Sequence, residues 1–285
     1  MYHDLKVKVR QRFSRDHPMR RFLYKCNRLL ARTRRLKGGL GALPDFLMLG
    51  TQKGGTTSLY NYLLQHPSVF GATGKETGYL LQEDIDEAEY RAYFPLQLIK
   101  KVWKKALSKD FRTGEASTAY LFNDDVPDRA KHLLDDIQLI ALLRDPTERA
   151  FSAHKHWQRL GNEQRSFEEA IKEELEKHKK GEQTEFEYLR RGLYEQQLRR
   201  WFQRFPRETF FIRTSESMFE DPQMVYDELL AFLDLAEHKI SSFPVVNKGS
   251  DKQMSNDIRK RLEAFYDEPK QRLYDLMGWS EVWND

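Results

Sequence analysis

The chain has 285 residues, a formal net charge of +4 and 39% hydrophobic residues, with 18 Phe, 13 Tyr and 5 Trp, too apolar and aromatic for a disordered chain. Its single cysteine, Cys26, excludes an intrachain disulfide and a cysteine-rich metal site, and the eight histidines lack HExxH or comparable spacing, so no metal is expected. No apolar run approaches the roughly 20 residues that span a bilayer, and no hydrophobic signal-peptide core stands near the start.

The charge is uneven along the chain. Residues 1–38 carry 13 Lys/Arg against 2 Asp/Glu, while the remainder carries 35 against 42. An arm with Phe13, Phe22, Leu23, Leu29 and Leu30 among its charges has the composition to rest on an anionic membrane surface or nucleic acid, or to hold an acidic substrate. A solvated helical arm packed on the domain is the plainer account, since charge runs are usually solvated faces. Lys37-Gly38-Gly39 and Gly41 through Pro44 make a flexible joint, dividing the chain into a basic arm, 1–43, and a domain, 44–285.

The stretch from Phe46 to Pro67, FLMLGTQKGGTTSLYNYLLQHP, organises the rest. Phe46 to Leu49 form an apolar run suited to a strand covered on both faces of a parallel sheet. Gly50 ends it, and Gly54 and Gly55 allow a tight loop whose N–H groups turn toward one point. Thr56, Thr57 and Ser58 then open a helix carrying Leu59, Tyr62 and Leu63. Such a helix start binds anions, and Lys53 adds a full charge on the loop. A nucleotide-triphosphate P-loop, GxxxxGK[ST], would need a lysine after Gly55; Thr56 stands there, and the lysine comes three positions early.

Beyond His66-Pro67, residues 68–72 predict a second short strand, with Lys75-Glu76 just past its end, where open α/β sheets collect ligands. Residues 84–94 read as helix; 96–109 is basic, partly apolar and unassigned. FRTGEASTAY, 111–120, predicts strand, turn and loop. Pro127 opens a helix to about Leu134, and Ile137 to Leu143 is a clear buried strand. It runs into Arg144-Asp145-Pro146, with Asp145 as cap and Pro146 in the first helical turn. Arg144 at the strand end and Ser152 about two turns on can grip a phosphate together. His154 and His156, two apart, fall on different helix faces.

Helices over Pro146–Leu160 and Ser166–Lys180 follow, the second opened by a capping box. Another runs from Arg190-Arg191-Gly192-Leu193-Tyr194 through Trp201, and TFFIR, 209–213, is a strand. A helix carries Val225, Leu229, Phe232 and Leu233, and two more start near Asp257 and Pro269. Strands alternating with helices indicate an α/β three-layer fold with a mainly parallel central sheet flanked by helices.

Five separated segments, in order, resemble sulfotransferases that use 3′-phosphoadenosine 5′-phosphosulfate (PAPS), above all the heparan-sulfate-type carbohydrate branch with its bacterial relatives. GTQKGGTTSL resembles the 5′-phosphosulfate loop and LIALLRDPTERAFSAH the 3′-phosphate motif; KETGYL matches the place of the catalytic glutamate, GEASTAYL the segment after it, and RRGLYEQQLRRWFQRFP the later Gly-Leu-Tyr helix. The match covers roughly residues 44–280 and implies a P-loop-like fold. It implies sulfuryl transfer to an acceptor hydroxyl or amine, releasing 3′-phosphoadenosine 5′-phosphate (PAP).

On that resemblance Lys53 would stabilise charge on the leaving phosphate. Gly54, Gly55, Thr56, Thr57 and Ser58 would hold the 5′-phosphate, and Arg144 and Ser152 the 3′-phosphate. Glu76 would be the general base, with His154 or His156 in reserve. Gly192 and Tyr194 would lie near donor or acceptor, and Asn247 to Lys252, with Lys248 and Gly249, would cover the nucleotide. The chain departs from the animal enzymes at Ala116, where they carry a lysine, which leaves Glu115, Ser117 or the arm to shape a different pocket. A saccharide hydroxyl is the expected acceptor, with Tyr79, Trp157, Tyr194 and Trp201 as stacking surfaces. A lipid or small-metabolite acceptor is an alternative, and a P-loop kinase or NTPase is the rival enzyme. No nucleic-acid partner is expected, and the expected location is the cytoplasm, with peripheral contact at the inner membrane left open.

Overall fold

Four apolar residues in succession leave a strand without a polar face, so β1 (Phe46–Gly50) has to be covered on both sides. In the computed structural model, which describes residues 39–107, 111–246 and 253–283, with side chains at all but 104–107, β1 is the middle strand of a five-stranded sheet. The others are β2 (Val69–Gly71), β3 (Arg112–Ala116), β4 (Gln138–Leu143) and β5 (Phe210–Thr214), in spatial order β2-β3-β1-β4-β5. Every pairing is parallel.

The alternation of side chains along each strand sorts them into two cores. Leu47 and Leu49 of β1 and Leu139, Ala141 and Leu143 of β4 face one side. There they meet α4 (Val126–Leu133), α7 (Tyr194–Phe202) and the end of α10 (Asn256–Met277). Phe46, Met48, Ile140 and Leu142 face the other, against α1 (Thr56–Leu63) and α9 (Pro222–Phe232). The expected three-layer, P-loop-like α/β arrangement is what the chain adopts. A third apolar cluster joins α5 (Pro146–Arg159), α6 (Phe167–Lys179) and the first half of α10.

Two short helices, α2 (Glu87–Arg91) and α8 (Ser215–Glu220), complete the set with α3 (Gln97–Leu107), the stretch the sequence left unassigned. Asp145 caps α5 by accepting the Glu148 N–H, an interaction of about 1 kcal/mol. The capping box at Ser166 and Glu169 forms as expected.

One boundary is corrected. The expected break at Pro269 is absent, and α10 is continuous from Asn256 to Met277 with Pro269 inside it. An interior proline costs roughly 3 kcal/mol. Burial of Ile258, Leu262 and Tyr266 ahead of it and Leu273 and Tyr274 behind, at roughly 1.5–3 kcal/mol for a large apolar side chain, outweighs that. Residues 39–43, read as part of the arm, already bond to the body: Gly41 bridges Leu96, and the Ala42 N–H donates to the Pro95 carbonyl at 2.8 Å. Residues 1–38 lie outside the described residues, and among the described ones no helix is long and apolar enough to cross a membrane.

Candidate active site

The strand order fixes where a ligand fits. From β1 the chain moves to β2 and β3 on one side, then to β4 and β5 on the other, so β1 and β4 are parallel neighbours whose outgoing connections diverge. A crevice opens at the carboxyl ends of such a pair. The loop after β1 and the turn after β4 both emerge there.

The first loop is shaped by its glycines. Gly55, the residue before α1, has φ 85°, a left-handed conformation that glycine adopts at little cost. A Cβ on Gly54 would lie 2.7 Å from the Leu142 carbonyl of β4, so only glycine lets the loop sit this close to the sheet. Lys53 is also left-handed, with φ 70°. A side-chain-bearing residue in that region stores roughly 1 kcal/mol or more, and such strain gathers at ligand-binding loops. The Ser58 N–H is taken up by the Gly55 carbonyl at 2.9 Å. Helix geometry leaves the Gly55, Thr56 and Thr57 N–H groups without an intrahelical acceptor.

Arg144 follows β4 and meets this loop. Its guanidinium donates to the Lys53 carbonyl at 3.3 Å and stands 3.9 Å from Glu148, one helical turn on. Its own carbonyl accepts from the Tyr194 hydroxyl at 2.9 Å. Tyr194 is buried, so it supports the Arg144 turn from behind and touches the crevice only through that carbonyl. Ser152, Lys155, His156 and Arg159 continue along α5, with Ser152 half-buried.

Cations converge on Lys53. Burial, followed by the charges of Arg159, Arg144, Lys155 and Lys75, pushes its pKa down to about 8. His156 is likewise lowered, by burial and then by Lys53 and Arg159, against the opposing pull of Glu76. The charged groups of β1's loop, the Lys75–Glu76 loop and α5 therefore act on one another across a single crevice.

Glu76 lies at its rim, half-exposed, and accepts from Lys75 at 2.9 Å. Lys75 also reaches the Thr56 hydroxyl at 3.4 Å. The backbone of this loop is fixed by β3, whose Ala116 N–H donates to the Lys75 carbonyl at 2.9 Å.

Behind the loop sits a device that the sequence reading misassigned. Glu115, expected to help shape an acceptor pocket, is fully buried. One carboxylate oxygen accepts from the Thr77 N–H at 3.0 Å and from the Thr77 and Ser117 hydroxyls, each at 2.6 Å; the other accepts from Tyr90 at 2.7 Å and Tyr120 at 3.0 Å. Burial and the Glu115 charge raise both tyrosine pKa values, so both remain donors. Ser117, itself buried, passes the restraint on by accepting the Gly78 N–H at 3.0 Å. The carboxylate thus pins residues 77 and 78, next to Glu76. The available signal was a lone glutamate in a strand between Gly114 and Ala116, which reads equally well as exposed. Glu115→Gln is expected to lower unfolding free energy by about 1–3 kcal/mol, because an amide must replace a charged acceptor of five donors. Urea denaturation checks it; an unchanged midpoint and slope would show that the cage adds nothing.

Other expected site residues are placed elsewhere. His154 is excluded as a reserve base: it is buried against Phe167 and Tyr188, with its Nε2 3.0 Å from the Arg165 carbonyl. The Ser58 hydroxyl is buried and its oxygen accepts the Val246 N–H at 3.0 Å. Gly192 is buried against Pro146 and Tyr266, away from any open surface. Tyr79, Tyr194 and Trp201 are core residues, so of the proposed stacking aromatics only Trp157 is partly open. Lys248 and Gly249 lie outside the described residues.

Residues 43–265 match the family described as "Sulfotransferase domain", and the chain belongs to that family. It is 29% identical over 208 residues to human bifunctional heparan sulfate N-deacetylase/N-sulfotransferase 3, covering 69% of this chain and 23% of that one. Mouse heparan sulfate glucosamine 3-O-sulfotransferase 5 is 27% identical over 68% of this chain and 54% of its own length. The chain therefore spans about half or less of these two relatives. Among solved structures, a sulfotransferase from Alicyclobacillus acidocaldarius superposes with a TM-score of 0.67 at 27% identity, covering 84% of this chain and 98% of that one.

Proposed function

We propose that the protein transfers the sulfuryl group of PAPS to a hydroxyl of a saccharide or glycoconjugate, releasing PAP. The observation that carries this reading is Lys53, an ammonium partly buried among four other cations at a helix start, where its charge is disfavoured until an anion arrives. Arg144 beside it, with Ser152 on α5, offers a second phosphate contact that a donor phosphorylated at both 5′ and 3′ positions would use. Lys248 and Gly249 are assigned to covering the bound nucleotide.

In the reaction the acceptor oxygen forms a bond to sulfur as the bond from sulfur to the bridging phosphate oxygen breaks. Glu76 takes the acceptor proton, and Lys53 stabilises the charge gathering on the departing phosphate. As in in-line phosphoryl transfer, positioning and charge stabilisation are what these residues supply.

The saccharide assignment rests on the names of the relatives. Ala116 is fully buried, so no side chain there reaches an acceptor. Lys75, held between Thr56 and Glu76, is the cation this loop offers in place of that missing lysine. Mass spectrometry of a saccharide panel incubated with isotopically labelled PAPS is expected to show one added sulfo group and stoichiometric PAP. Sulfation confined to lipids or small metabolites would move the acceptor assignment, and transfer of phosphate from ATP instead would replace the reaction.

A further inference from the structure

The Arg144 turn is held by residues far from it in the chain. Its peptide bond to Asp145 is taken at both ends: the Arg144 carbonyl accepts from the Tyr194 hydroxyl at 2.9 Å, and the Asp145 N–H donates to Glu216 at 3.1 Å. A peptide unit is planar, so holding both of its polar groups fixes the plane. With β4 fixing the residue on its other side, the direction in which the Arg144 side chain departs is set as well.

Glu216 lies in the first turn of α8, and its second carboxylate oxygen accepts the Trp283 indole N–H at 2.8 Å. Trp283 comes back to this point because α10 ends at Gly278 with φ 66°, a left-handed turn in which the Trp279 N–H closes on the Tyr274 carbonyl at 3.0 Å. The Trp283 side chain is buried, its ring 6.1 Å from Tyr194 and 6.0 Å from Tyr274. One indole therefore touches both groups that hold the Arg144–Asp145 peptide. Burial raises the Asp145 pKa, and the Glu216 charge adds to the rise. The two carboxylates repel each other, and the two N–H donors on Glu216 offset that repulsion.

The preceding residue serves the other loop. Ser215 is buried, and its hydroxyl donates to the Gly54 carbonyl at 2.7 Å. Two consecutive residues after β5 thus hold the loop that follows β1 and the turn that follows β4. We propose that Glu216, anchored by Trp283, is a positioning residue that sets the spacing between the two phosphate contacts of the donor site. It acts through the Arg144 turn, and Ser215 ties the same short helix to the Lys53 loop. The inference rests on the reading of Arg144 as the 3′-phosphate contact. A bound group is only as well placed as the residues that lock its partner, which is why this clamp bears on donor binding.

Isothermal titration of the full chain with PAP and with adenosine 5′-monophosphate, which lacks the 3′-phosphate, tests it. Trp283→Phe keeps an aromatic ring and removes the indole N–H; Glu216→Gln keeps the shape but turns an amide NH2 toward one of the two donors. Circular dichroism of both variants should match the parent. Each is expected to weaken PAP about 3- to 10-fold, the worth of one hydrogen bond, and to leave the monophosphate within about two-fold. In an Arg144→Ala background the same changes should cost PAP nothing further, because the group they position is gone. Equal weakening of both nucleotides, or losses that simply add to that of Arg144→Ala, would overturn the proposal while the donor reading stood. A parent that bound PAP no more tightly than the monophosphate would overturn the donor reading, and the clamp with it.

Discussion

Replacing Glu76 by Gln is expected to lower turnover about 10²- to 10⁴-fold, the range a positioned general base contributes, while leaving PAP affinity within about two-fold of the parent. Gln keeps the shape and can still accept from Lys75, which holds Glu76 at 2.9 Å, so the loop need not move. What it lacks is a carboxylate that can take a proton. Glu76 is half-exposed at the rim, which suits a group that must meet an incoming acceptor rather than support the fold. Steady-state kinetics paired with isothermal titration of PAP separate the two effects. A near-normal rate would remove Glu76 from the role and pass it to His156, the histidine of α5 that lies within electrostatic reach of both Glu76 and Lys53.

Lys53→Ala should cost about 10²- to 10³-fold in turnover, the scale on which loss of one group stabilising a developing charge is felt. Its pH behaviour is the more telling result. In the free enzyme the ammonium titrates at about 8, lowered by burial and then by its cationic neighbours. The proton is needed to stabilise the leaving phosphate, so kcat/KM should fall as pH rises past about 8. Bound donor brings negative charge that favours the ammonium, so the alkaline limb of kcat should lie higher than that of kcat/KM. Lys53→Arg should retain part of the rate and lose the limb, because a guanidinium keeps its proton throughout this range. An alkaline limb unchanged in Lys53→Arg would assign it to another group.

The parts of this chain legible in its sequence were those where one force dominates. FLML and LIALL had to be covered strands because no polar residue interrupts them, and their burial on both faces follows. The Lys53 loop and the Arg144 turn were legible because glycine, proline and capping residues act locally. Recognition that the two meet needed only the parallel pairing of β1 and β4, which places both at one sheet end.

What escaped reading depended on tertiary context. KKVWKK in α3 shows lysines in pairs, and only Ile99 and Trp103 reveal which side faces the core. Pro269 signals a break locally, yet packing of the residues before and after it keeps α10 whole. Glu115 has no local reason to be buried; its five donors come from residues 77, 90, 117 and 120, which only folding brings together. The same holds for Tyr79, Tyr194 and Trp201, whose rings suit a sugar or a core equally until burial decides.

A crystal structure of the full chain with PAP tests the central claim most directly. The 5′-phosphate is expected within about 3 Å of the Gly55 to Thr57 N–H groups and the Lys53 ammonium, and the 3′-phosphate at the same range from the Arg144 guanidinium and the Ser152 hydroxyl. A nucleotide bound with Lys53 and Arg144 both turned away from its phosphates would contradict the account.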